Sequence, residues 1–356
     1  MTATAHPPLH LFLPRRHDMA PSQRFRWEMW EPLLAEHMPV HRHHVEDASQ
    51  TGDTQSDGWR DHVADVRAMR RQIKRLTADG TLAGANVVIQ RRLAKVGLPV
   101  LERLLLRAGA RRVIFDLDDA IFISVITGGT RLQIAIKAAL NYTRMLARRS
   151  DLGCCGNGWL ADYVRDQGTP AVVVPTTARL QPQRDEPADG PPIVGWSGSR
   201  TTAPYLQAIM PQLERLHARS PFRLHVIGGQ VQSDAIDVEH IEWTSATQDE
   251  SVSRLDVGLM PMPHDEWTRG KCALKAILYM AHGIPAVASD FGANREVIAD
   301  GETGLLCQPD GWADAVGRLL ASRDLRRTIG RAGRQVVIDR YTPEAVLPIL
   351  LDEVLA

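Results

Sequence analysis

Lysine and cysteine are scarce in this chain, and net charge is absent. Only Lys74, Lys95, Lys137, Lys271 and Lys275 are lysines among 42 basic residues, so the basic side is nearly all arginine. The 42 bases meet 42 acids, which argues against a general nucleic-acid binder, since such domains usually carry a basic excess. The four cysteines, Cys154, Cys155, Cys272 and Cys307, show no C-x-x-C spacing. Buried free thiols in a reducing compartment are expected, and no metal site. No apolar run approaches the roughly 18 residues that span a bilayer, and no apolar core follows the first basic residues as in a secretory leader. A cytoplasmic protein is expected, with peripheral contact at a membrane surface left open and the oligomeric state unset.

What is present suits two packed domains: 356 residues, 44% of them apolar, against roughly 100–200 residues per domain. The pattern predicts strands at Leu9–Leu13, Met38–Val45, Asn86–Gln90, Arg112–Phe115, Leu152–Cys155 and Ala171–Val174. Helices are predicted from Ser22, as N-cap, to His37, over Trp59–Ala78 and Pro99–Ala108, over Leu132–Arg148, and from Trp159 to Arg165. Ser49–Gly58 reads as a polar loop. Gln181–Pro192, with four prolines and a glycine, reads as a linker. Alternation then restarts, with strands at Ile193–Trp196, Arg223–Ile227, His240–Trp243, Val257–Pro261 and Ala286–Ala288. A turn and short strand over Glu302–Pro309 and three helices to Leu355 follow. Two doubly wound α/β domains follow from this order, and ligands of such sheets sit beyond the carboxyl ends of the strands. Asp116–Asp119, Ser197–Arg200, Gly228–Gly229 and Asp265–Lys271 all follow strands.

The richest stretch is Val257–Asn294. A strand runs into a loop with two acids and two bases, and a helix is predicted from Lys271 to His282, ended by Gly283. A helix start favours an anion. Arg269 and Lys271 add charge there, and Lys275, four residues after Lys271, is predicted on the same helical face. The residues therefore point to a phosphate or diphosphate site. Gly198 and Ser199 offer backbone N–H groups of the same kind. Asp116, Asp118 and Asp119 cluster after a strand, where carboxylates orient hydroxyls as well as cap helices or form buried ion pairs. Arg24 and Arg26 follow Ser22 in the first loop. His41, His43 and His44 lack regular metal-ligand spacing.

The chain resembles family 4 glycosyltransferases of the GT-B fold over nearly its whole length. The second half carries R-G-K-C-A-L-K-A-I-L-Y-M-A-H-G-I-P-A-V-A-S, F-G-A-N-R-E-V-I-A-D-G-E-T-G-L-L, V-G-W-S-G-S and L-H-V-I-G-G. The first half carries A-P-S-Q-R-F-R, F-D-L-D-D-A-I-F, C-C-G-N-G-W-L-A-D-Y and V-V-V-P-T. The resemblance implies two Rossmann-like doubly wound domains facing a central cleft. Residues 1–180 would bind the acceptor, 181–192 link, 193–340 bind the nucleotide sugar, and 341–356 form a helix packing back on the first domain. It also implies transfer from a nucleotide-diphosphate sugar with retention of anomeric configuration, without a cofactor or a metal. Donor binding would fall to Gly198, Ser199, Arg200, Gly228, Glu242, Trp243, Arg269, Lys271, Cys272, Ala273, Lys275, Asn294 and Glu296. Acceptor binding would fall to Ser22, Arg24, Arg26 and Asp116, and the chemistry to Arg269, Lys271, Asp118 and Asp119. Two glutamates of the family pattern fall at Gly270 and Leu278, where no carboxylate stands. A nucleotide-sugar epimerase and a non-catalytic sugar-nucleotide-binding protein are the competing expectations.

Overall fold

The computed structural model describes residues 6–47, 59–93, 99–123, 142–182 and 190–356. They form two compact units: Met1–Thr176 with Val346–Ala356, and Thr177–Ala345. The predicted loop Ser49–Gly58, most of the helix placed at Leu132–Arg148 and residues 183–189 of the predicted linker lie outside the described residues.

The first unit is built on β1 (Leu9–Leu13), β2 (Val40–His44), β3 (Asn86–Gln90), β4 (Arg112–Leu117), β5 (Leu152–Cys155) and β6 (Ala171–Val173). They pair in the order β2-β1-β3-β4-β5-β6, all parallel. A parallel sheet covered on both faces needs apolar runs rather than alternation, and every residue of β1 and β3 is buried. The last residues complete this core. Val346, Leu350, Val354 and Leu355 pack with Leu9, Trp27 and Ile114, and Asn86 donates from Nδ2 to the Leu355 carbonyl at 2.8 Å.

The second unit holds β7 (Ile193–Ser197), β8 (Arg223–Ile227), β9 (Val238–Ile241), β10 (Val257–Met260), β11 (Ala286–Ser289) and β12 (Leu305–Cys307). Their order is β12-β11-β10-β7-β8-β9, again all parallel. Counted from β7, this is the 3-2-1-4-5-6 order of dinucleotide-binding sheets, whose ligand crevice opens where the order reverses. In the second unit that point lies between β7 and β10, and in the first between β1 and β3.

Two predicted helices are broken. The helix expected from Ser22 to His37 is two pieces, Pro21–Arg24 and Trp27–Leu34, with Arg26 at the break (φ −132°, ψ −111°). Ser22 caps nothing; Ala20 holds the N-cap position, with no side-chain cap bond. The helix expected at Lys271–His282 is also split. Glu266–Arg269 forms one turn under an Asp265–Thr268 capping box, and Leu274–Ala281 starts afresh after Ala273, whose φ is 53°. A non-glycine residue in the left-handed region costs about 1 kcal/mol or more, so the chain holds Ala273 there against its preference.

Candidate functional site

In the second unit, the switch point between β7 and β10 collects the loops singled out in the sequence. Tyr279 of the helix Leu274–Ala281 locks it from below. Its ring lies against Gly258, where a Cβ would come within 2.3 Å. Its hydroxyl accepts from Ser197 N at 2.9 Å and donates to the Leu259 carbonyl at 3.2 Å, tying the ends of β7 and β10 together. Trp196, fully buried at the end of β7, forms the floor. Gly198 and Gly229 lie on its indole, where added Cβ atoms would approach ring atoms to 2.3 and 2.7 Å. Gly228, with φ +81°, lies so near the β7 loop that a Cβ would be 2.4 Å from the Gly198 carbonyl and 2.8 Å from Trp243.

The cations gather beside this floor. Lys275 Nζ is 5.7 Å from the Trp196 ring centroid. Burial, and then the neighbouring Lys271, push the Lys275 ammonium down to about 8. Among the described residues no carboxylate lies in ion-pair range of Lys275, whose charge is met only by the π face of Trp196. Lys271 stands in the loop before the helix, not on its face as predicted, with Nζ 4.8 Å from the Trp267 ring centroid. Arg269 is exposed at the end of the preceding turn, its guanidinium 5.5 Å from the Phe291 ring centroid. His264 stacks on the same ring at 4.7 Å. Gly292, at φ +56°, packs on the Arg269 backbone. Three bases thus surround a short left-handed turn beside free backbone at a helix start, an arrangement that suits an anion.

Other predicted donor residues are less uniform. Ser199 and Arg200 are exposed in the β7 loop, and Glu242 is exposed past the end of β9, which stops at Ile241 rather than Trp243. Trp243 is half-buried and donates from Nε1 to Gln248 Oε1 at 3.0 Å. Cys272 is partly buried, while Ala273 is buried and offers only backbone. Asn294 has no exposed surface. Its amide donates to the Ser289 carbonyl at 2.9 Å, which makes it a tie within the unit. Glu296 is exposed, and its carbonyl accepts from the Tyr341 hydroxyl at 3.3 Å.

In the first unit, two residues assigned to an acceptor are used on each other. Arg26 and Asp116 are both 0% exposed. Arg26 donates to Asp116 from Nε at 3.0 Å and from Nη2 at 2.5 Å, and from Nη1 to the Val174 carbonyl at 2.6 Å. Gln90 adds a donor to Asp116 at 3.2 Å. Burial pushes the Asp116 acid up. The guanidinium keeps its proton and, with these donors, holds the pair ionised. Reaching Asp116 is what draws Arg26 into the core and breaks the first helix. Neither side chain presents a polar atom to solvent, which corrects their expected role.

Asp118 and Asp119 are only partly buried, and Arg91 faces both at 3.3 and 3.4 Å. Sequence reading missed Arg91, which follows β3 at this sheet's switch point with φ 52°. Ser22 and Arg24 are partly buried nearby in sequence, with Gln90 Nε2 on the Ser22 carbonyl at 2.8 Å and Arg24 3.7 Å from Asp18. The histidines make a stack instead of a metal site: His10 Nδ1 and His43 Nε2 are 3.0 Å apart, and His43 Nδ1 meets the Gln72 amide at 2.9 Å. Among the described residues no His, Cys, Asp and Glu grouping is arranged to hold a metal ion.

With this geometry in view, the likeness to known proteins takes on meaning. Residues 192–322 match the family model described as Glycosyl transferases group 1, a span that contains every loop of the second switch point. A sucrose-phosphate synthase from Thermosynechococcus elongatus superposes with TM-score 0.67 at 16% identity, covering 96% of both chains. Anabaena HepE in complex with UDP and glucose superposes with TM-score 0.63 at 12% identity, over 98% of this chain and 99% of that one. The fold is GT-B. In sequence, a GDP-mannose-dependent alpha-mannosyltransferase of Mycolicibacterium smegmatis is 28% identical over 233 residues, 59% of this chain and 58% of that protein. An N-acetyl-alpha-D-glucosaminyl L-malate synthase of Bacillus anthracis is 34% identical over 71 residues, 19% of each. The chain thus spans 58% and 19% of the lengths of these curated relatives.

Proposed function

We propose that the protein is a glycosyltransferase that moves a sugar from a nucleotide-diphosphate sugar to an acceptor, with retention of anomeric configuration. The second unit holds the donor, and no metal takes part. The observation that carries this reading is Lys275: a packed ammonium beside Lys271, with no carboxylate in ion-pair range among the described residues. An ammonium held beside a second lysine, with no carboxylate in its own reach, is unfavourable until an anion arrives. A diphosphate supplies it. When the bond from the anomeric carbon to the diphosphate breaks, its electron pair moves to the leaving oxygen, and the charge growing there is met by fixed cations. The GT-B fold, the family model over residues 192–322 and the names of the relatives support transfer over epimerisation or mere binding. Retention rests on the family resemblance. Asp118, Asp119 and Arg91 in the first unit are assigned to the acceptor, whose hydroxyl oxygen forms the new bond to the anomeric carbon while its proton passes to the departing diphosphate.

A thermal-shift panel of UDP, GDP, ADP and their sugars tests the donor site. At about a hundred times Kd a bound ligand adds about 2.7 kcal/mol, so at least one member should raise Tm by several degrees, and the Lys275→Met variant should lose that response. A flat panel sinks the reading. Proton NMR of the first-formed product then reads the anomeric configuration.

A further inference from the structure

The first unit carries a face of exposed bases that form no ion pairs among the described residues, Arg75 alone having a nearby acid, Asp79. Arg67, Arg70, Arg71, Lys74 and Arg75 are all exposed on the helix Trp59–Ala78. Their spacing of i, i+3, i+4, i+7 and i+8 puts them on one side, opposite the buried Asp65, Ala68, Met69 and Ile73. The helix Val100–Leu105 packs beside it, and Arg103, Arg107 and Arg111 are exposed on and just after it. None of these eight bases makes an ion pair among the described residues. Of the acids between residues 62 and 111, Asp65 and Glu102 are buried. Asp79 alone is exposed, with Oδ1 held by Thr81 N at 3.0 Å and Oγ1 at 2.6 Å.

Some exposed bases elsewhere are answered locally, Arg165 by Asp162 at 2.9 Å, Arg254 by Glu250 at 2.5 Å and Arg295 by Asp290 at 2.5 Å, whereas here eight bases without an ion pair among the described residues lie on or just after two adjacent helices. The chain as a whole is neutral, so this face is a local segregation of charge and not a general basic excess. It is also purely electrostatic. The exposed large apolar side chains among the described residues are Met19, Leu180 and Ile338, none of them here. Without an aromatic platform it lacks the stacking that single-stranded nucleic acid uses. A helix of 20 residues, roughly 30 Å long, presents an extended row of the kind that anionic lipid headgroups attract.

We propose that this face docks the protein on an anionic membrane surface. The inference stands independently of the sugar-transfer reading. The full chain is sedimented with phosphatidylcholine vesicles, with and without about a third phosphatidylglycerol, at low salt and at about 0.15 M, where screening reaches ~8 Å. Binding is expected to the anionic vesicles only and to weaken with salt. Each charge removed should cost about fivefold in partition, so Arg67→Gln/Arg70→Gln/Arg71→Gln/Lys74→Gln should lose roughly six hundredfold with Tm unchanged. A control of equal charge, Arg215→Gln/Arg219→Gln/Arg318→Gln/Arg331→Gln, alters exposed bases of the second unit and should bind like wild type. Equal binding to neutral vesicles, equal loss in both variants, or binding of a duplex oligonucleotide in place of anionic vesicles overturns the proposal.

Discussion

Two cations divide the molecule. Arg26 in the first unit is sealed from solvent and meets Asp116, Gln90-ordered, inside the protein. Lys275 in the second unit is partly buried, and has an indole ring and another lysine for company. Sequence alone gives both the same look, a base in a loop-to-helix segment near acids. The difference lies in where the counter-charge is. A buried charge with its partner built in is structure, because removing either half leaves the other stranded. A packed charge without one is stabilised by any anion that approaches it.

The largest effect should come from breaking the complete pair. Arg26→Ala or Asp116→Asn strands a buried polar group at about 3–5 kcal/mol, read as a large fall in Tm or in the urea midpoint. Arg26→Met combined with Asp116→Leu should recover most of that loss, since apolar replacements of a whole buried pair are often neutral. If the single variants melt like wild type and instead lose acceptor turnover, Arg26 belongs with the ligand and the contrast collapses.

Lys275→Met should behave in the opposite way. Its folded pKa, about 8, lies below the ordinary 10.5, so the unfolded chain binds the proton more tightly. Stability of the wild type therefore rises with pH between about 8 and 10.5, where the unfolded chain gives that proton up. The variant escapes this penalty. It should be more stable at neutral pH, by no more than about 3 kcal/mol at ~1.4 per pK unit, with the gain fading towards the alkaline end. Turnover should drop on the order of a hundredfold, about 3 kcal/mol of barrier. Diphosphate affinity of the wild type, followed by calorimetry, should weaken as pH rises through about 8. A variant that loses both stability and turnover would make Lys275 a structural residue.

The sheets were legible because parallel strands buried on both faces write themselves as apolar runs: β1, β3, β5 and β8 fall where the pattern places them. The proposed anion site was readable only as a coincidence of glycine, base and helix start. Its geometry was not. Nothing local to Lys271–His282 announces that Ala273 takes a left-handed turn, because that cost is borne by the packing of Tyr279 on Gly258, residues brought together across the fold. Arg26 was misread for the same reason: Asp116 is 90 residues away, and pairing at that distance leaves no periodicity. Arg91 escaped notice because a basic pair after a strand looks like an ordinary turn until the strand order makes it a switch point.

Arg91 is the middle case, and the smallest effect should come from it. It is 25% exposed and faces Asp118 and Asp119, themselves 10% and 14% exposed, at 3.3 and 3.4 Å. Ion pairs that keep water contact are worth about 0.2–1 kcal/mol each. Against this, its φ of 52° costs about 1–2 kcal/mol in any residue with a Cβ, and glycine escapes that cost at some loss of chain entropy. Arg91→Gly should therefore leave the urea midpoint within about 1 kcal/mol of wild type, since the two changes oppose each other. If Arg91 instead orients the carboxylates for an acceptor hydroxyl, KM for the acceptor rises in this near-neutral background while donor affinity stays fixed. A loss of about 3 kcal/mol or more would move Arg91 to the side of Arg26, and the first unit's switch point would then be a structural knot with no counterpart to the anion site proposed for the second.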